Sequence, residues 1–176
     1  SKDIYSDLGL SETDVAAVYV DGDPQGTFSI AKNSSTTLTG TGKGVQTEVF
    51  VDDDDNITIV MTNVYVGEVS SVNEDADEPY SVITGITGNG GQYETTAYAE
   101  DDIVLYTYAD GEIQSVALAE VVSGAEVTSY TTKSGKYTAL KADGTDYDMA
   151  AGYELDSELS NKIDRETSYD LYLDAN

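Results

Sequence analysis

Asp52, Asp53, Asp54 and Asp55 form one run between the apolar stretches 47–51 and 57–60. Dense carboxylate oxygens are the ligands that calcium takes, so this run is the first metal candidate. An EF-hand loop needs glycine at its sixth position and glutamate at its twelfth. Counted from Asp52, those positions hold Ile57 and Asn63; counted from Asp21, they hold Gly26 and Lys32. Both loops fail. A looser site could gather the four aspartates with the acids of 74–78 or 100–102. The expectation is weak calcium association at Asp52–Asp55 that screens charge without completing a coordination cage. No other cofactor is expected.

A second constellation is nucleophilic. Ser29 and Lys32, Ser71 and Asn73, and Lys133 and Gly135 spell S-x-x-K, S-x-N and K-S-G in chain order. That order mimics the signature of penicillin-binding enzymes, whose serine and lysine open a helix inside a large α/β domain. Here the surrounding "TFSIAKNSSTTLTGTGKG" is rich in Thr, Ser and Gly and reads as strand plus loop. Histidine and cysteine are absent. This removes Ser-His-Asp and Cys-His catalysis, disulfides and the thiolate and imidazole metal ligands. With 34 acidic residues, some pair of carboxylates lies close by chance, so a glycosidase pair has no special support. No catalytic residue is assigned and the chain is expected not to be an enzyme. Some of the 14 tyrosines could stack on sugar rings, but Tyr19, Tyr65, Tyr106 and Tyr172 fall in strand patterns where half-buried sheet positions are the usual role.

The net charge of −26 repels nucleic acid and anionic membrane surfaces. No apolar run approaches the roughly 20 residues of a membrane span, so no membrane insertion is expected.

Period-two alternation dominates the chain and predicts an all-β fold. "TEVFVDDDDNITIV" (47–60) reads as strand, turn, strand, and "DIVLYTYADGEIQSVAL" (102–118) repeats the plan around Asp110-Gly111. "YDLYLDAN" (169–176) begins it again. Val49 to Leu105 and Ile57 to Ile113 are each 56 positions apart. Gly67 to Gly124 and Tyr80 to Tyr137 are each 57 apart, while Leu105 to Leu171 is 66. The longer spacing is assigned to an insertion, 156–166, read as one short helix with Asp156 and Ser157 at its start. The predicted organisation is three tandem β units, 1–66, 67–123 and 124–176. Each is a small barrel or sandwich of SH3 or OB size. The run 113–130 has one Gly and no Pro, so a strand is expected to pass directly between units. The third unit is expected to lack its final strand and to leave 169–173 at a sheet edge. In this reading Asp52–Asp55 are first of all turn residues.

These hairpins, "TEVFVDDDDNITIVMTNVYVGEV", "DIVLYTYADGEIQSVALAEVVSG" and "YDLYLDAN", resemble the β-rich repeat region of bacterial S-layer-homology-domain proteins, cell-surface proteins of Gram-positive gut bacteria. The resemblance covers roughly residues 45–176. The helical wall-binding modules of such proteins are absent, and Asp54-Asp55-Asn56 stands where a turn glycine is usual. The resemblance implies a non-catalytic, extracellular spacer or adhesion module associated with the cell wall. Its partners would be other domains or copies of a surface protein, or a cell-wall or host glycan. A glycan-binding module, calcium-assisted or not, is the alternative.

Overall fold

The computed structural model describes residues 15–29, 44–86, 88–150, 153, 155, 159 and 162–174, which are almost entirely β. The chain divides into two compact units, Ser1–Thr41 with Val45–Asn63, and Gly42–Gly44 with Val64–Asn176.

The first unit contains β1 (Val15–Val20), β2 (Asp23–Ser29), β3 (Val45–Val51) and the start of β4 (Ile57–Asn73). Asp21 and Gly22 take φ of 50° and 84°, the two left-handed residues of a type I′ hairpin turn between β1 and β2. β3 pairs antiparallel with β4, and β1 pairs with β4 in parallel, Val18 opposite Ile59. Alternation sends Ile57, Ile59 and Met61 to one face, where they meet Ala16, Val18 and Val45 in a closed apolar cluster. The Asp21 carboxylate accepts bonds from the Asn63 backbone and side-chain amides, both at 2.8 Å, fixing the turn to β4.

In the second unit, β4 continues beside β5 (Tyr80–Gly85), β6 (Gly90–Tyr93), β7 (Ile103–Ala109) and β8 (Glu112–Leu118). The hydrogen-bonded run is β8-β7-β4-β5-β6. It curls until β6 and β8 meet, around Val69, Ile83, Val104, Tyr106 and Ile113. A second sheet holds β9 (Glu120–Lys133), β10 (Lys136–Ala142), β11 (Thr145–Asp148) and β12 (Thr167–Leu173) in the order β11-β10-β9-β12. Its core is Ala125, Val127, Leu140, Ala142 and Ile163. β12 is the end strand of this sheet.

Both sheets share one plan. In β4–β7 and in β9–β12, the fourth strand returns to lie beside the first, the 4-1-2-3 order of a Greek key. The registers correspond: Val64 faces Thr107 and Tyr65 faces Tyr106, while Val121 faces Tyr172 and Val122 faces Leu171. Leu171 therefore matches Tyr106 and not Leu105, which corrects the spacing of 66 by one position. A one-residue slip exchanges the faces of a strand. Leu171, packed against the third core, shares the role of the buried Tyr106. β8 and β9 are separated by Ala119 alone, whose N–H donates to Ile103 O.

The helix expected over 156–166 lies partly outside the described residues. Of the described residues in this range, Leu159 is in a 3-10 turn whose carbonyl accepts from Lys162 N–H at 2.9 Å, Lys162–Asp164 have no regular structure, and Arg165 and Glu166 form a turn into β12. The connection is pinned through tyrosines: Ile163 N–H donates to the Tyr137 hydroxyl and Asp164 N–H to the Tyr169 hydroxyl, both at 2.9 Å. Ile163 thereby enters the third core, which the second core matches with Ile113 of β8.

Tyrosine does the same in the second core. Tyr98 donates to Val116 O at 2.8 Å and Tyr106 donates to Gly88 O at 2.6 Å. Burial raises the Tyr106 hydroxyl above its ordinary value of 10.0, with Tyr108 adding to the shift. Burial and then Tyr93 raise Tyr98 in the same direction. A phenol raised in the folded chain stabilises fully below its unfolded value, and that contribution is lost as pH climbs through the folded value. Chemical denaturation at a series of pH values should show this tyrosine contribution falling above about pH 10. Tyr98→Phe should reduce the fall.

Candidate functional site

Asp52–Asp55 lie in the five-residue loop between β3 and β4. Asp55 N–H donates to Asp52 O at 3.1 Å, and Asp55 takes a left-handed φ of 62°, a type I turn closed by a left-handed residue. The Asp52 carboxylate is already engaged. Its Oδ1 accepts from Asp54 N at 3.0 Å and from Asn56 N at 2.8 Å, and its Oδ2 accepts from Asn56 Nδ2 at 2.9 Å. The Asn56 side chain and then its backbone N–H hold the Asp52 carboxyl below its ordinary value of 3.8. These are the bonds of an Asx-type turn, and they direct both Asp52 oxygens inward. Among the described residues, no three acidic groups are placed to hold a metal ion.

We expect added salt to raise the melting temperature by screening the −26 charge, with calcium chloride and sodium chloride equivalent at equal ionic strength. A rise specific to low calcium would reveal a true coordination site. Asp52→Ala should lower the melting temperature slightly at neutral pH, and the difference should vanish as acid protonates Asp52 below its lowered value.

The penicillin-binding triplets are placed differently from that signature. Ser29 closes strand β2 instead of opening a helix. Lys32 lies outside the described residues. Ser71 and Asn73 are on β4, Lys133 ends β9, and Gly135 sits in the β9–β10 turn.

A concavity of the second unit runs along β6 and the start of β8. It encloses about 580 Å³, within the size range of small-ligand sites. Tyr80, Tyr93 and Gln92 line it, with Glu78, Glu94 and Glu112 at its wall. Gly90 and Gly91 leave the first two positions of β6 without side chains. A Cβ at Gly90 would come within 2.6 Å of Ile83 O, so the strand cannot be thickened there. Flat phenols, an amide and carboxylates in a half-open groove suit hydroxyl-rich or cationic ligands. The sequence did not point to this groove, because Glu112 of β8 comes to Tyr80 and Tyr93 only through the curl that brings β6 to β8. The turn pair Asp110-Gly111 and the strand glycines Gly90-Gly91 were the available signal.

Scans of protein-family models, curated proteins and solved structures find no match to this chain.

Proposed function

We propose that this chain is a non-catalytic structural module, a spacer or adhesion segment of an extracellular, cell-wall-associated surface protein of the S-layer type. The observation that carries this reading is continuity. One residue, Ala119, separates the end of β8 from the start of β9, and it is itself hydrogen-bonded to β7. Consecutive cores thus follow one another with no Gly, Pro or Ser linker between them. Strand-to-strand passage carries load along backbone hydrogen bonds, which is what a spacer requires. The acidic composition favours a well-solvated surface. The hairpin resemblance supplies the cell-surface setting, with other domains or copies of the same surface protein as neighbours.

A second reading, glycan binding, is favoured by the Tyr80–Tyr93 groove. A glycan array probed with the protein, with and without calcium, separates the two. The spacer reading expects no saturable signal. Saturable binding to one glycan class, abolished by Tyr93→Ala, would replace it.

A further inference from the structure

The geometry points to the groove between β6 and β8 as a binding site for a guanidinium group, the arginine side chain of a partner polypeptide. This assignment is independent of the spacer reading and gives the Tyr80–Tyr93 groove an occupant other than a glycan.

Glu78, Glu94 and Glu112 line the groove, and all three are exposed. From residue 44 to residue 132 the chain has neither lysine nor arginine. The curled run β8-β7-β4-β5-β6 therefore carries no cation of its own. The ion pairs among the described residues, Lys141–Asp146 and Lys162–Asp164, both lie later in the chain. A cation for the three groove carboxylates is not supplied by the strands that carry them.

Acidity alone attracts any cation, so the rest of the lining selects among them. Among the described residues no three acidic groups are placed to hold a metal ion, so a bare divalent ion finds no set of ligands here. Tyr80 and Tyr93 contribute two phenol rings, and Gly90 and Gly91 leave backbone uncovered beside them. A guanidinium is planar, weakly hydrated and carries five donors, so it can stack on a phenol while bonding carboxylates. A lysine ammonium is a strongly hydrated point charge and lacks the flat face.

The lining is held in place before any ligand arrives. The buried Ser81 donates from Oγ to Thr95 O, and Thr95 N–H donates to Tyr93 O, both at 2.8 Å, which fixes the turn that carries Glu94. Asn73 Nδ2 donates to the Tyr80 hydroxyl at 3.2 Å. Asp110 and Gly111, both at positive φ, set Glu112 at the start of β8 beside the buried Ile113.

The chain makes the same kind of contact within itself. Ile163 enters the third core, and two residues on, the Arg165 guanidinium carbon lies 5.0 Å from the centre of the Tyr130 ring. Tyr130 in turn meets Tyr137 edge-on, with centroids 5.1 Å apart. Ile113 enters the second core in the same way, but its flanking residues are Glu112 and Gln114. The tyrosines are present at both cores, and only the third has its own arginine.

The test is a residue-resolved NMR titration of the whole chain with Ac-Gly-Arg-Gly-NH2, its lysine counterpart and methylguanidinium. The arginine peptide should shift amides at 78–80, 92–94 and 111–113 saturably, and methylguanidinium should compete for the same amides with weaker affinity. Glu94→Gln combined with Glu112→Gln, both at exposed positions, should weaken the arginine peptide about tenfold, the effect of ~1.4 kcal/mol. Glu120→Gln combined with Glu126→Gln removes the same charge from β9, outside the groove, and should leave binding nearly unchanged. Tyr93→Leu should weaken the arginine peptide more than the lysine peptide. Equal binding of the two peptides, or equal loss in both double variants, would overturn the proposal as general charge attraction. So would shifts centred on 52–55, or none that saturate. Methylguanidinium binding as tightly as the peptide would overturn the polypeptide source in favour of a free guanidinium compound.

Discussion

Replacing Tyr106 with alanine is expected to remove about 3–5 kcal/mol of stability, the range for emptying a buried aromatic site. Tyr106 is 1% exposed and sits at the centre of the second core. Its ring stacks on Tyr65, its cross-strand partner, with centroids 5.5 Å apart. It also covers Gly67, whose absent Cβ would lie 3.0 Å from Tyr106 Cε1. Its hydroxyl holds the β5–β6 turn at Gly88 O. Alanine leaves a cavity over Gly67 and frees that carbonyl together. Tyr106→Phe isolates the second effect and should cost about 1 kcal/mol. Urea denaturation of the three proteins checks both numbers. Domains of this size have ~5–15 kcal/mol in total, so the alanine variant should sit near the edge of folding.

Gly85→Ala is expected to cost about 3 kcal/mol, at the upper end for overpacking. Gly85 faces Gly67 across β4 and β5. A Cβ there would collide with the backbone oxygens of Gly88 and Asn89 and with the Tyr106 hydroxyl. Two of these three atoms are backbone, so no rotamer change relieves the clash. Gly135→Ala serves as the comparison. Its Cβ would meet nothing, and its only penalty is the left-handed φ of 80°, about 1–2 kcal/mol. Midpoints from the same urea titrations should rank Gly85→Ala well below Gly135→Ala. Equal midpoints would mean that the Gly67–Gly85–Tyr106 contact is looser than described.

Alternation made most strands legible, because a half-buried sheet face forces a period of two: Ile57, Ile59 and Met61 are buried in turn, as are Val104 and Tyr106. Asp110-Gly111 marked its tight turn for a related reason. Asp21-Gly22, Asp110-Gly111 and Asp143-Gly144 all have both φ values positive, which few other residue pairs tolerate. Non-local features were not legible. The parallel pairing of β1 with β4 has no signal in either strand. The identity of Leu105 and Leu171 misled the register by one residue, because alternation fixes a face only once the pairing partner is known. The tyrosines were readable as sheet residues but not as anchors. Tyr98, Tyr137 and Tyr169 bond backbone 18, 26 and 5 residues away, respectively, tying the long Greek-key connections to the sheets. The aspartate run was legible as a turn, while the capture of both Asp52 oxygens by Asn56 required the loop geometry.

Stretching the protein from its two ends by single-molecule force spectroscopy tests the spacer function most directly. Strands that pass from core to core through hydrogen-bonded backbone should resist until a core fails as a whole. The expected trace has discrete rips, each releasing one core's worth of chain at roughly 3.3–3.6 Å per residue. The junction between β8 and β9 should give no extension before the first rip. Smooth lengthening at low force, with the chain paying out between Leu118 and Glu120 before any core unfolds, would contradict a load-carrying role.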